Sequence, residues 1–140
     1  MILYLDTSSM LKLYVEEADS DAVEKLVNQA NGAGTSLVGY AEMRAGLARA
    51  QRMGRLTTSA YDEALASFEA RWATIYTIAV DAGLVRAAGD LAERHPLRGF
   101  DAVHLASAIA LRADTAEPVT FSSADGRLLT AARAEGLPVP

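Results

Sequence analysis

Four carboxylates interrupt stretches of this chain that are otherwise apolar or small. Asp6 follows the run ILYL directly, Glu42 stands among Val38, Ala45 and Gly46, Asp101 precedes AVHLASAIA, and Asp125 lies in SSADGRLL. Brought together, such groups have a definite chemistry. Two carboxylates ~4 Å apart at an effective dielectric of 20 repel by about 4 kcal/mol, so a cluster must take up protons or bind a cation. An all-oxygen donor set suits a hard ion such as Mg²⁺ or Mn²⁺, whereas zinc calls for histidine or cysteine. The chain has no cysteine, and its two histidines are His95, beside a proline, and His104, one turn after Asp101. His104 reads as a packing or helix-surface residue rather than a ligand.

The elements that must position these acids follow from periodicity. Residues 2–5 form a short apolar run bounded by turn-type residues, as a buried strand does. Further strands are expected at 34–37, 74–78 and 118–121, with a possible fifth at 137–139. Helical patterns fill the intervals, to about residue 15 and over 22–30, 38–53, 59–72, 81–94, 101–112 and 124–135. Asn31-Gly32, Gly54 and His95-Pro96 act as stops. Strands alternating with helices require crossover connections and a parallel sheet covered on both faces. The expected fold is therefore α/β, a short central parallel sheet of four or five strands flanked by helices, in one domain over residues 1–140. In such a sheet ligands gather beyond the carboxyl ends of the strands, which is where the four acids are expected.

Each acid also has a plainer reading. Asp6, Asp101 and Asp125 suit the start of a helix, as caps or as first-turn partners of the helix dipole. Glu42 would be costly unpaired on its apolar face, and Arg49, two turns on, is a candidate partner.

Composition narrows the alternatives. The charge is −5, from 13 basic and 18 acidic residues among 140, which argues against a general nucleic-acid coat but not against an enzyme that grips phosphates through cations. No stretch approaches the ~20 apolar residues of a membrane helix, and the first apolar run is too short for a signal peptide. A cytoplasmic protein is expected. Arg44, Arg49, Arg52 and Arg55 load the end of the third long helix with positive charge; Arg49 and Arg52 form either a solvated face or a phosphate-tracking strip. Tyr14, Tyr40 and Trp72 sit at helical spacing and read as core rather than as base-stacking groups.

The segments YLDTSSMLKLYVEEADSDAVEKL, AEMRAGLAR, FDAVHLASAIAL and VTFSSADGRLLTAARAEG, taken in order, resemble the successive motifs of PIN-domain proteins. They are most similar to the VapC-type toxins of bacterial toxin–antitoxin pairs. The resemblance implies a PIN-like α/β/α fold and an Mg²⁺- or Mn²⁺-dependent endoribonuclease acting on RNA. It places the family's acids at Asp6, Glu42, Asp101 and Asp125, and its small hydroxyl residues at Ser8 and Ser123, which would orient carboxylates or waters. Ser123-Ala124-Asp125 stands where the family has Thr-x-Asp, and Gly126 after it departs from the usual pattern. The resemblance further implies a homodimer and a VapB-type antitoxin whose C-terminal segment lies near the acids. Met10, Leu11, Tyr14, Met43 and Leu47 are candidates for that apolar surface, although intramolecular core is the stronger reading of each. A metal nuclease acting on DNA or flaps and a silent PIN-like binding module are the alternatives. An Asp-nucleophile phosphatase is disfavoured, because DTSS lacks the second aspartate such sites use.

Overall fold

The computed structural model describes residues 1–140. Four strands and seven helices follow one another as β1 (Ile2–Leu5), α1 (Thr7–Leu11), α2 (Ser20–Gln29), β2 (Gly32–Ser36), α3 (Gly39–Arg52), α4 (Thr58–Trp72), β3 (Tyr76–Ile78), α5 (Ala82–Arg94), α6 (Gly99–Asp114), β4 (Val119–Ser122) and α7 (Gly126–Ala134). All strand pairings are parallel, in the order β3-β2-β1-β4. The expected α/β sheet is therefore present, with four strands.

β1 is central and buried along its whole length. Its side chains alternate between faces, as the two-residue strand period demands. Ile2 and Tyr4 enter one core with Val119, Phe121, Leu105 and Leu128, beneath α5, α6 and α7. Leu3 and Leu5 enter the other with Met10, Met43, Leu47 and Phe68, beneath α1 to α4. Burying each of these leucines is worth roughly 1.5–3 kcal/mol, so a one-residue slip of β1 would cost both cores at once. Tyr14, Tyr40 and Trp72 pack around Phe68 and belong to the second core, as expected.

β2 consists of small residues because α6 lies close upon it. A Cβ on Gly34 would stand 2.7 Å from a Leu111 methyl carbon, so a larger residue fits only if the Leu111 side chain shifts. The strand begins at Gly32, two residues ahead of the expected start. The possible fifth strand at 137–139 is absent. Phe121 N–H donates to the Pro138 carbonyl at 2.8 Å, but Pro138 and Pro140 have no N–H to return, so no ladder propagates.

Topology then marks one crevice. The connection leaving β1 turns into α1 on one face, and the connection leaving the neighbouring β4 turns into α7 on the other. Such a switch point opens a cleft at the carboxyl ends of the two strands.

Candidate functional site

Asp6 and Ser123 follow β1 and β4 at that cleft. Asp6 caps α1, accepting from Ser9 N–H at 2.8 Å, and the same Oδ1 accepts from the Ser8 hydroxyl at 2.7 Å. Its Oδ2 accepts from the Ser123 hydroxyl at 2.5 Å. Both serines are held in turn, Ser8 Oγ by Ala124 N–H and Ser123 Oγ by Asp125 N–H, each at 3.0 Å. Asp125 caps α7, accepting from Arg127 N–H at 2.9 Å. Asp101 lies in the first turn of α6, whose cap is Arg98 rather than Asp101 itself. Glu42 lies in the first turn of α3. The four acids thus sit at the N-terminal ends of four helices, where the backbone dipoles favour negative charge. Asp6 and Asp125 are caps, and Glu42 and Asp101 are first-turn acids.

Burial pushes the Asp6 carboxyl above its ordinary range, against the opposing hydrogen bonds from Ser123, Ser9 and Ser8. The Asp101 carboxyl is also raised, first by burial and then by the charge of Asp125, while Arg98 and His104 pull the other way. No lysine or arginine forms an ion pair with any of the four acids.

Glu42 differs from the rest. Its expected partner Arg49 is elsewhere, directing Nε toward the Met53 sulfur at 3.4 Å, because seven residues of helix carry it down the rod. His104 Nε2 lies 2.7 Å from Glu42 Oε1, and the Thr7 hydroxyl donates to the same oxygen at 2.8 Å. Burial, the largest influence, raises the Glu42 carboxyl, but the hydrogen bonds from His104 and Thr7 and the histidine's charge outweigh it, leaving the group below its ordinary range. His104 is buried, and its Nδ1 lies 2.9 Å from the hydroxyl of fully buried Tyr4. It is neither a free surface residue nor simple packing. Thr7 and Tyr4 were not legible as site residues, although the signal existed: a phenol on an apolar strand and an imidazole on an apolar helix each need a buried partner.

Not every candidate comes to the cleft. Arg52 ends α3, and about 15 Å of helix separates it from Glu42. Arg49 and Arg52 make no ion pair, whereas Arg44 and Arg55 are tied to Glu69 and Glu17 at 3.5 and 3.2 Å. Met10, Met43 and Leu47 are fully buried between β1 and the helices and offer no surface to a partner.

The donor set fits a hard divalent cation in type: carboxylates at the starts of helices, none in an ion pair with lysine or arginine, and no thiol. As the side chains stand, no three acidic or imidazole groups are gathered around a single point.

A model of the PIN domain family matches residues 3–133. Ribonuclease VapC45 and Ribonuclease VapC49, from two strains of Mycobacterium tuberculosis, are each 38% identical over 136 residues, spanning 96% of this chain and 92% of theirs. Among solved structures, VapBC2 from Rickettsia felis, bound to a DNA fragment from its promoter, superposes with a TM-score of 0.67 at 16% identity, over 100% of this chain and 98% of that one. Mycobacterium tuberculosis VapC20, described as a Sarcin-Ricin loop cleaving toxin, superposes with a TM-score of 0.65 at 20% identity, over 96% and 95%. At those identities the two structures speak for the fold.

Proposed function

This chain belongs to the PIN domain family, and from that premise we propose that it is a VapC-type ribonuclease, the toxin of a toxin–antitoxin pair. It hydrolyses phosphodiester bonds within RNA. The observation that carries this reading is the group of four acids at the β1/β4 switch point, unpaired with any lysine or arginine. The two VapC ribonucleases at 38% identity support the reaction class.

Asp6, Glu42, Asp101 and Asp125 would hold Mg²⁺ or Mn²⁺. Such a cation supplies positive charge that eases loss of a proton from an attacking water and offsets charge on the phosphate oxygens. The protein's own contribution is rigidity. Ser8, Ser9 and Ser123 lock both oxygens of Asp6, and Thr7 and His104 lock one oxygen of Glu42. Asp101 and Asp125 repel each other across the cleft and so favour the cation-bound form. The four helix N-termini add a field that also suits a phosphate.

A VapB-type antitoxin is the inhibitory partner, and the toxin is a cytoplasmic homodimer. An apolar groove of ≈ 440 Å³, lined by Val38, Val85, Ala88, Phe100 and Val103, begins next to Asp101 and supports a partner with an apolar segment. No helix is long and apolar enough to cross a membrane.

The test is cleavage of RNA by the purified protein with Mg²⁺ or Mn²⁺, alongside excess EDTA and the Asp6→Asn variant. Cleavage is expected only for the wild type with added metal. Full activity in EDTA, or in Asp6→Asn, would sink the metal-dependent reading.

A further inference from the structure

We infer that His104 is a positioning residue: held by Tyr4 from behind, it fixes the Glu42 carboxylate at the cleft and leaves Glu42 Oε2 for a ligand. This rests on the reading of the four acids as a divalent-cation site.

The argument begins with β1. Tyr4 is the only polar-tipped side chain of the strand, and its ring is stacked on Phe121 with centroids 5.3 Å apart and planes 8° off parallel. Its hydroxyl is therefore delivered to a fixed point inside the core. A buried hydroxyl must find partners, and His104 Nδ1 lies 2.9 Å away, with the Ser107 and Thr35 hydroxyls beside it. Neutral with its proton on Nε2 and Tyr4 donating to Nδ1, or protonated on both nitrogens, the imidazole presents Nε2 to the carboxylate as a donor. Nε2 then donates to Glu42 Oε1 at 2.7 Å. The Thr7 hydroxyl, 3.3 Å from Nε2, donates to that oxygen too. Oε1 takes both bonds and Oε2 takes none from the protein.

The relay joins β1, α1, α3 and α6, although α3 and α6 lie on opposite faces of the sheet. His104 also stands one turn after Asp101 on α6. The helix that brings one acid to the cleft thus sets the rotamer of another. A histidine kept only to fill the core would not need its second nitrogen aimed at a carboxylate that opens to solvent.

The experiment is a calorimetric titration with Mn²⁺ of the wild type, His104→Ala, His104→Gln, Tyr4→Phe, Glu42→Gln and the Glu42→Gln/His104→Ala pair. Metal-free thermal melts run beside it. Losing a partner that orients a ligand typically costs about 10- to 100-fold in metal affinity, and that loss is expected for His104→Ala. His104→Gln keeps an N–H within reach of Glu42 and should recover most of the loss. Tyr4→Phe keeps the stack on Phe121 and should show a smaller loss in the same direction. With Glu42 already replaced, His104→Ala should change affinity no further, because coupled residues are not additive. Wild-type affinity in His104→Ala, or an equal loss with and without the Glu42 carboxylate, would overturn the inference. Should His104→Ala fail to fold, unchanged affinity in both His104→Gln and Tyr4→Phe leaves no orienting role for the relay and overturns it as well. If the wild type itself does not bind Mn²⁺, the cation site falls and this inference with it.

Discussion

Two histidine–glutamate pairs in this molecule have the same contact distance and opposite surroundings. His95 Nε2 and Glu135 Oε1 are 2.7 Å apart where the C-terminal ends of α5 and α7 meet, and His104 Nε2 and Glu42 Oε1 are 2.7 Å apart near the N-terminal ends of α6 and α3. Arg94 adds a second contact to Glu135 at 3.0 Å, and Arg112 donates to the Glu135 backbone carbonyl at 3.0 Å. Cations there answer both the carboxylate and the helix ends, as the dipole requires. Glu42 forms no ion pair with an arginine, and the same His104 also faces the charges of Asp6 and Asp101. The pair at 95 and 135 ties two helices; the pair at 42 and 104 has no arginine to complete it. Contact geometry alone does not distinguish the two pairs. The charge around them does.

The sharpest way to break this contrast is to neutralise one acid on each side. Asp101→Asn should lower metal-dependent RNA cleavage by more than ~100-fold, since even residues that merely orient metal ligands cost 10- to 100-fold. Glu135→Gln should leave cleavage unchanged and cost at most about 1 kcal/mol of stability, as partly exposed ion pairs do. Comparable activity in the two variants would erase the distinction.

A smaller effect should appear in the pH dependence of the metal-free protein. Asp6 and Asp101 have raised carboxyls, so the folded state binds protons that the unfolded state has lost. Their contribution to stability therefore declines as pH rises from the ordinary carboxylate range through their raised values. Glu42 and Glu135 are lowered, and they contribute stability above the ordinary range that is lost as pH falls through their folded values. Thermal melts against pH should show Asp6→Asn removing the decline toward neutrality and Glu135→Gln removing part of the acid-side loss. Identical profiles for both variants would contradict the assignment of the two signs.

The smallest effect concerns Arg49 and Arg52, far along α3 from the cleft. If RNA reaches them, replacing both with glutamine should flatten the log–log salt dependence of binding by about 0.7 per charge, measured with the Asp6→Asn protein to prevent cleavage. An unchanged slope assigns them to a solvated face.

Much of this was legible in the chain itself. The run at 2–5, the alternation of helical and strand patterns, and the stops at Gly54 and Pro96 predict the layers, because those signals are local. The fifth strand failed on the same local grounds, since the two terminal prolines should have counted against it. The acids were visible too, as polar residues at the starts of apolar helices.

What the sequence by itself determined is therefore a set of helix starts, each carrying a carboxylate. The tertiary structure alone decided which groups answer them. Ser123 reaches Asp6 across 117 positions, and His104 reaches Glu42 across 62. Neither pairing follows from spacing, because it depends on β4 returning beside β1 and on α3 and α6 meeting over the sheet from opposite faces. Caps and periodicity act within a few residues; the partners of a buried charge are chosen only when the chain closes on itself.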